Sequence, residues 1–213
     1  MRWKAAVAVT LLAAVGSSVP ADADACMRMK RRRVQAVDHK LQDVNRAEHL
    51  LAKGEGKRAV KAAKRRFKSF TAATGSPDSG KALFNRAQRT IALATVRADG
   101  AMDLGRGMRG KTAQDKALNL AWATAVLEVQ AAAEPDNLLL RTYYAEALSH
   151  HVGGDAQARD ILTQLANDDL MPTARGYALL ARTQQRLGDA SGSDLSLQRC
   201  RDLGEGDDIC SVA

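Results

Sequence analysis

The chain has 213 residues, of which 46% are apolar, 26% charged and 4% aromatic, and its formal net charge is +8. An average apolar fraction excludes wholesale disorder, and no apolar run after Pro20 approaches the ~18 residues that span a bilayer. Few aromatic and β-branched residues against abundant Ala, Leu and Arg favour helix over sheet, so an all-α class is expected.

At the amino end, Arg2 and Lys4 precede an apolar stretch from Ala5 to Val15, Gly16 to Pro20 breaks it, and Ala23-Asp24-Ala25 closes the segment. A basic start, a short apolar centre and a small-x-small exit describe a secretory signal peptide over 1–25, so a periplasmic or secreted protein is expected. Cys26 follows the expected cut. Bacterial lipoproteins carry their lipid on a Cys so placed, behind a Leu-like residue three positions earlier, where this chain has Ala23. If Cys26 is lipidated the protein is anchored to a membrane, weakly for a single acyl chain. Residues 26–33, with Arg28, Lys30, Arg31, Arg32 and Arg33, read as a basic arm too polar to pack.

From there the apolar residues Val34, Val37, Leu41, Val44, Ala47 and Leu51 recur three or four apart, the stripe of an amphipathic helix. Gly54-Glu55-Gly56 interrupts it, and Ala59 or Val60, Ala63, Phe67 and Phe70 then share one face of a second helix. Thr74 to Gly80 is a Gly- and Pro-containing connector. Two helices about a Gly turn make an αα-hairpin. Four such hairpins are expected, over about 33–73, 80–134, 137–170 and 173–203. The second is irregular, because Asp99 to Thr112 inserts Gly100, Gly105, Gly107 and Gly110 before its second helix. That insertion reads as a flexible surface loop.

The carboxyl half repeats itself. A shift of 34 positions lays Arg141 on Arg175, Tyr143 on Tyr177, Ala147 on Ala181, Gly154-Asp155-Ala156 on Gly188-Asp189-Ala190 and Asp160 on Asp194. A 34-residue period of helix, Gly turn and helix is that of tetratricopeptide repeats. The chain resembles this family over Tyr143–Gly154 and Tyr177–Gly188, and in the Ala-Glu-Pro-Asp-Asn run at 133–137. In the family a Pro commonly closes the second helix of a repeat, and Pro135 is so placed, with Asp136 or Asn137 available to cap the next helix. Ala147 and Ala181 let the paired helices approach closely, and Gly54, Gly154 and Gly188 end the first helix of each pair. The resemblance implies a short solenoid of stacked hairpins over 34–203, with a protein or peptide partner along the concave face formed by the first helices. Alignment on the two tyrosines places Arg141, Tyr144, Leu148 and His151, then Arg175, Ala178, Arg182 and Arg186, as exposed candidates there. The arginines suit carboxylate partners.

Charge is divided unequally. Residues 26–70 hold fifteen Lys or Arg against four acids, whereas residues 71–213 hold fifteen against eighteen. Lys57, Lys61, Lys64 and Lys68 line the outer side of the second helix at steps of three and four, a spacing at which like charges repel. Anions that would offset this are the acidic carboxyl end (Asp202 and, in the tail 204–213, Glu205, Asp207 and Asp208), acidic lipid headgroups or a cell-envelope polymer. No aromatics interleave with the lysines for base stacking, so nucleic acid is not expected. Cys200 and Cys210 are the preferred disulfide, stapling the tail to the last helix, although three cysteines leave one over and the sequence does not fix their pairing. His39, His49, His150 and His151 lack ligand spacing, so no metal is expected. Neither a Gly-x-Ser-x-Gly elbow nor a phosphate-binding Gly-rich loop occurs, and no enzymatic activity or cofactor is expected. The residues thus read as an exported, non-catalytic scaffold for a protein or peptide partner. The alternative is a peripheral binder of anionic lipid or envelope polymer through the basic helix.

Overall fold

Each helix of the carboxyl half begins where the sequence offers a side chain or a turn to start it. Asn137 accepts a hydrogen bond from the N–H of Leu140 at 3.3 Å, so Asn137 rather than Asp136 caps the helix after Pro135. Thr112 and Asp115 form a reciprocal capping box, and Thr173 and Asp189 accept from the N–H groups of Gly176 and Gly192. Such caps are worth about 1 kcal/mol each.

The computed structural model describes residues 39–65, 67, 82–105, 107–204 and 209–210. Among the described residues there are eight helices and no strand. They are α1 (39–52), α2 (Gly56–Lys64), α3 (Ala82–Val96), α4 (Ala113–Ala133), α5 (Leu138–Leu148), α6 (Asp155–Asn167), α7 (Ala174–Arg186) and α8 (Ala190–Asp202). The expected signal peptide, the basic arm, most of the acidic tail, Val34, Val37, Lys68, Phe70 and the 74–80 connector lie outside the described residues.

Packing follows chain order within a unit from Lys40 to Ala213. Each helix from α2 onward packs on its successor, and α3 also reaches α5. Val44, Ala47, Ala59, Ala63 and Ile91 join α1, α2 and α3. Val96, Ala123, Leu127 and Ala147 join α3, α4 and α5, and Leu162, Leu165, Leu180 and Cys200 join α6, α7 and α8. Leu41, counted in the first apolar stripe, is instead exposed at 36%, and the buried stripe runs through Val44, Ala47, Leu50 and Leu51. α2 stops at Lys64, short of Phe67, which packs edge-on against Phe84 of α3 with ring centroids 5.8 Å apart. Cys200 and Cys210 are joined by a disulfide, which holds Ile209 and Cys210 against the α5–α8 core.

The last two helix pairs, α5–α6 and α7–α8, follow a spacing of their own. α6 and α8 each run 13 residues and start 35 positions apart, at Asp155 and Ala190. α5 and α7 start 36 positions apart, at Leu138 and Ala174. The 34-position shift therefore does not follow the helix starts, and the two tyrosines have different neighbours. Arg97, just past α3, lies 6.0 Å from the ring of Tyr143, whereas Arg199 of α8 lies 6.0 Å from that of Tyr177. The glycines shift likewise. Gly153 at φ +79° and Gly188 at φ +83° supply the left-handed turns, not Gly154, which has φ −77°. Gly154 is required for a different reason: a β-carbon there would lie 2.1 Å from the carbonyl oxygen of Leu148.

Candidate functional site

Two basic regions emerge. The first belongs to α7, where steps of seven and four residues set Arg175, Arg182 and Arg186 along one side of the helix. Arg186 reaches α6 and donates to the Asp155 carboxylate at 2.6 Å. Arg182 is half-buried and its Nε has no hydrogen-bond partner among the described residues. Burial holds its guanidinium below the usual arginine pKa; Glu146 acts upward, while Arg186 and Arg175 add to the depression. Arg175 is exposed and, with Arg97, lines a groove of about 440 Å³ whose other wall is the α1–α2 turn at Leu51, Gly54 and Glu55.

Arg97 is itself fixed. Its Nε and Nη2 donate to the two carboxylate oxygens of buried Glu146 at 2.8 and 3.0 Å. Burial opposes the Arg97 charge, yet the bonds to Glu146 leave its pKa above the ordinary value. The neighbouring Tyr143 phenol is pushed up, chiefly by burial. The sequence reading missed Arg97 and Glu146. A glutamate flanked by Ala145 and Ala147 on an apolar helix was the available signal, but its partner stands 49 positions away.

The candidates on α5 and in the turn after it face elsewhere. Arg141 donates to Gln164 of α6 at 2.8 Å, Tyr144 donates to Glu128 of α4 at 3.3 Å, and His151 Nε2 lies 2.7 Å from Thr124 Oγ1 of α4. Burial and Glu128 raise the Tyr144 phenol. Leu148 and Ala178, expected to be exposed, are buried at 8% and 2%. One residue turns a helix face by about 100°, so an alignment off by one or two positions selects the packed side. The structure thus groups Arg175, Arg182 and Arg186 with Arg97 and Glu146, and sets Arg141, Tyr144 and His151 apart from them.

The second region is built on α2. Lys57 and Lys61 are exposed, and half-buried Lys64 donates to the Asp103 carbonyl at 3.0 Å. Lys61 and Lys64 lie in the last helical turn, where the helix dipole favours cations, so part of the like-charge cost is offset within the helix. The loop facing α2 is pinned, contrary to the expected flexible insertion. Buried Asn119 of α4 donates to the carbonyls of both Gly100 and Met102 at 2.8 Å, and Met102 and Leu104 are buried. A β-carbon on Gly100 would lie 2.2 Å from the Lys116 carbonyl oxygen, so loop and α4 touch backbone to backbone. Between helix and loop lies a cleft of about 730 Å³, with Lys57, Lys61, Lys64 and Arg65 on one wall and Arg109 and Lys111 on the other. Asp103 is its one acid among the described lining residues, and its carboxylate accepts from the N–H of Gly105 at 3.0 Å. Lys68, expected to extend the stripe, lies outside the described residues.

Among the described residues no group of three or more His, Cys, Asp or Glu is placed to hold a metal ion, and no helix is long and apolar enough to cross a membrane. No protein-family model, curated protein or solved structure matches the chain.

Proposed function

We propose that the chain is an exported, non-catalytic helical scaffold that holds a carboxylate-bearing protein or peptide segment against α7 and the α1–α2 turn. Arg182 carries this reading: a half-buried guanidinium set between two more arginines on one helix face, where burial and like charge both oppose it. A carboxylate bound on this face would offset the like charge of the three guanidiniums and accept charge-assisted hydrogen bonds from the exposed Arg175. Arg175 gives the ligand a second, exposed grip, and Glu146 keeps Arg97 oriented at the groove wall.

The tetratricopeptide-like reading is supported by the succession of helix pairs, by the Pro135–Asn137 joint and by the left-handed glycines at 153 and 188. The 35- and 36-position spacings depart from the family period. Reading 1–25 as a signal peptide places the partner in the cell envelope or outside it.

Peptides of equal length, rich either in Glu and Asp or in Gln and Asn, test the proposal. The acidic series binds, and Arg175→Gln and Arg182→Gln each weaken it about tenfold, whereas Tyr144→Phe, on the α4 side, leaves affinity unchanged. Acidic peptides whose affinity ignores both arginine substitutions exclude the groove.

A further inference from the structure

The cleft between α2 and the pinned loop shares Lys57 and Met102 with the α7 groove, but its other lining residues are its own. Its floor is Val60, Ala101 and Met102, and its rim is cationic. Among the described lining residues there is no amide, hydroxyl, imidazole or aromatic side chain. Nucleic-acid bases are recognised by aromatic faces, which this lining lacks. This cleft offers charge above and hydrocarbon beneath. We infer that it binds an acidic membrane lipid, the anionic headgroup on Lys61, Lys64, Arg109 and Lys111 and the first part of an acyl chain on the floor.

Charge complementarity favours this occupant. Six cations surround the cleft against one carboxylate, which is already engaged by Gly105. About 730 Å³ is far more than one inorganic ion needs and suits a headgroup with a short length of chain. The walls are pre-set: Asn119 fixes the loop, and Lys64 ties α2 to it through the Asp103 carbonyl, so little ordering is required on binding. Lys57, on the same wall but outside the set that holds the headgroup, is exposed and adds to the attraction of an anionic bilayer.

The test is sedimentation of the full chain with vesicles of phosphatidylglycerol and phosphatidylcholine in equal parts, against phosphatidylcholine alone. The double variant Lys61→Gln/Arg109→Gln is compared with Lys53→Gln/Lys116→Gln, which removes the same charge from exposed positions outside the cleft. Leader and basic arm are common to both variants, so their contribution cancels. The acidic vesicles are expected to bind the cleft variant about tenfold more weakly than the control variant, which stays within about twofold of the unaltered chain. Ala101→Glu, an exposed floor position that leaves the core intact, gives a similar loss with an unchanged circular dichroism spectrum. Dodecyl phosphate below its micellar concentration competes with the vesicles, and inorganic phosphate at the same concentration does not. Equal losses in the two double variants would mean diffuse attraction and overturn the proposal. So would displacement by inorganic phosphate alone, or cleft-dependent binding of polyglutamate without any preference for acidic vesicles.

Discussion

Gly153 and Gly154 sit side by side at one turn and are glycine for unlike reasons, which separates two costs usually confounded. Gly153 has φ +79° and open space where a β-carbon would go. Gly153→Ala therefore bears only the left-handed backbone penalty, roughly 1 kcal/mol. Gly154 has an ordinary φ, but a β-carbon would press on the Leu148 carbonyl at 2.1 Å. Gly154→Ala must move backbone, and a loss of about 2–4 kcal/mol is expected in denaturant titrations, the larger of the two. Equal losses would show that the turn yields. Tyr143 offers a residue-scale test in pH. Its folded pKa is raised by burial, so above the ordinary phenol range the folded chain holds a proton that the unfolded chain has released. Stability then falls as pH rises past about 10 and through the raised folded value. Tyr143→Phe abolishes that alkaline component while leaving neutral stability nearly unchanged, which thermal melts across the alkaline range read directly.

Between elements, the Arg97–Glu146 pair links the end of α3 to α5, and its burial decides how it fails. The side chains are 22% and 8% exposed. Glu146→Ala leaves a mostly buried guanidinium without its carboxylate, and about 3–5 kcal/mol of stability should be lost. Arg97→Met with Glu146→Leu removes both charges and recovers most of that loss in equilibrium unfolding; a double variant as unstable as the single one would show that shape, not charge, was lost. This scale also shows what the sequence revealed. The helix pairs were legible because their determinants are local: apolar spacing, the cap offered at Asp136 or Asn137 and the glycine turns. The face each helix presents was not, since an error of one or two positions turned the choices Arg141 and Tyr144 of α5, and His151 just past it, towards α6 and α4. The pinning of the 99–112 insertion was hidden too, because it rests on Asn119, whose carbonyl partners lie 17 and 19 positions away. Lys57, Lys61 and Lys64 were found because charge at helical spacing survives any choice of face. Arg109 and Lys111 join them only once the loop is folded back.

At the scale of the whole unit, the reading of the helices as a stacked array predicts stability as a sum of neighbouring interfaces rather than one shared centre. The buried residues fall into clusters accordingly, one joining α1 to α3, one joining α3 to α5 and one running from α5 to α8. Leu162 is fully buried in the last of these. Leu162→Ala should cost about 2–4 kcal/mol where α6 meets its neighbours, through lost burial and the cavity left behind. Because α6 touches α5 and α7 but not the α1–α3 cluster, the loss should be local. In native-state hydrogen exchange the amides of α6, α7 and α8 then exchange faster by a factor of a hundred or so, while those of α3 around Ile91 slow or quicken by less than about threefold. The α7 arginine face would be released with its helix, whereas the α2 cleft, pinned through Asn119 to α4, would persist. A uniform acceleration across all helices would instead mean that the unit unfolds only as one, and that the groove and the cleft share a single equilibrium.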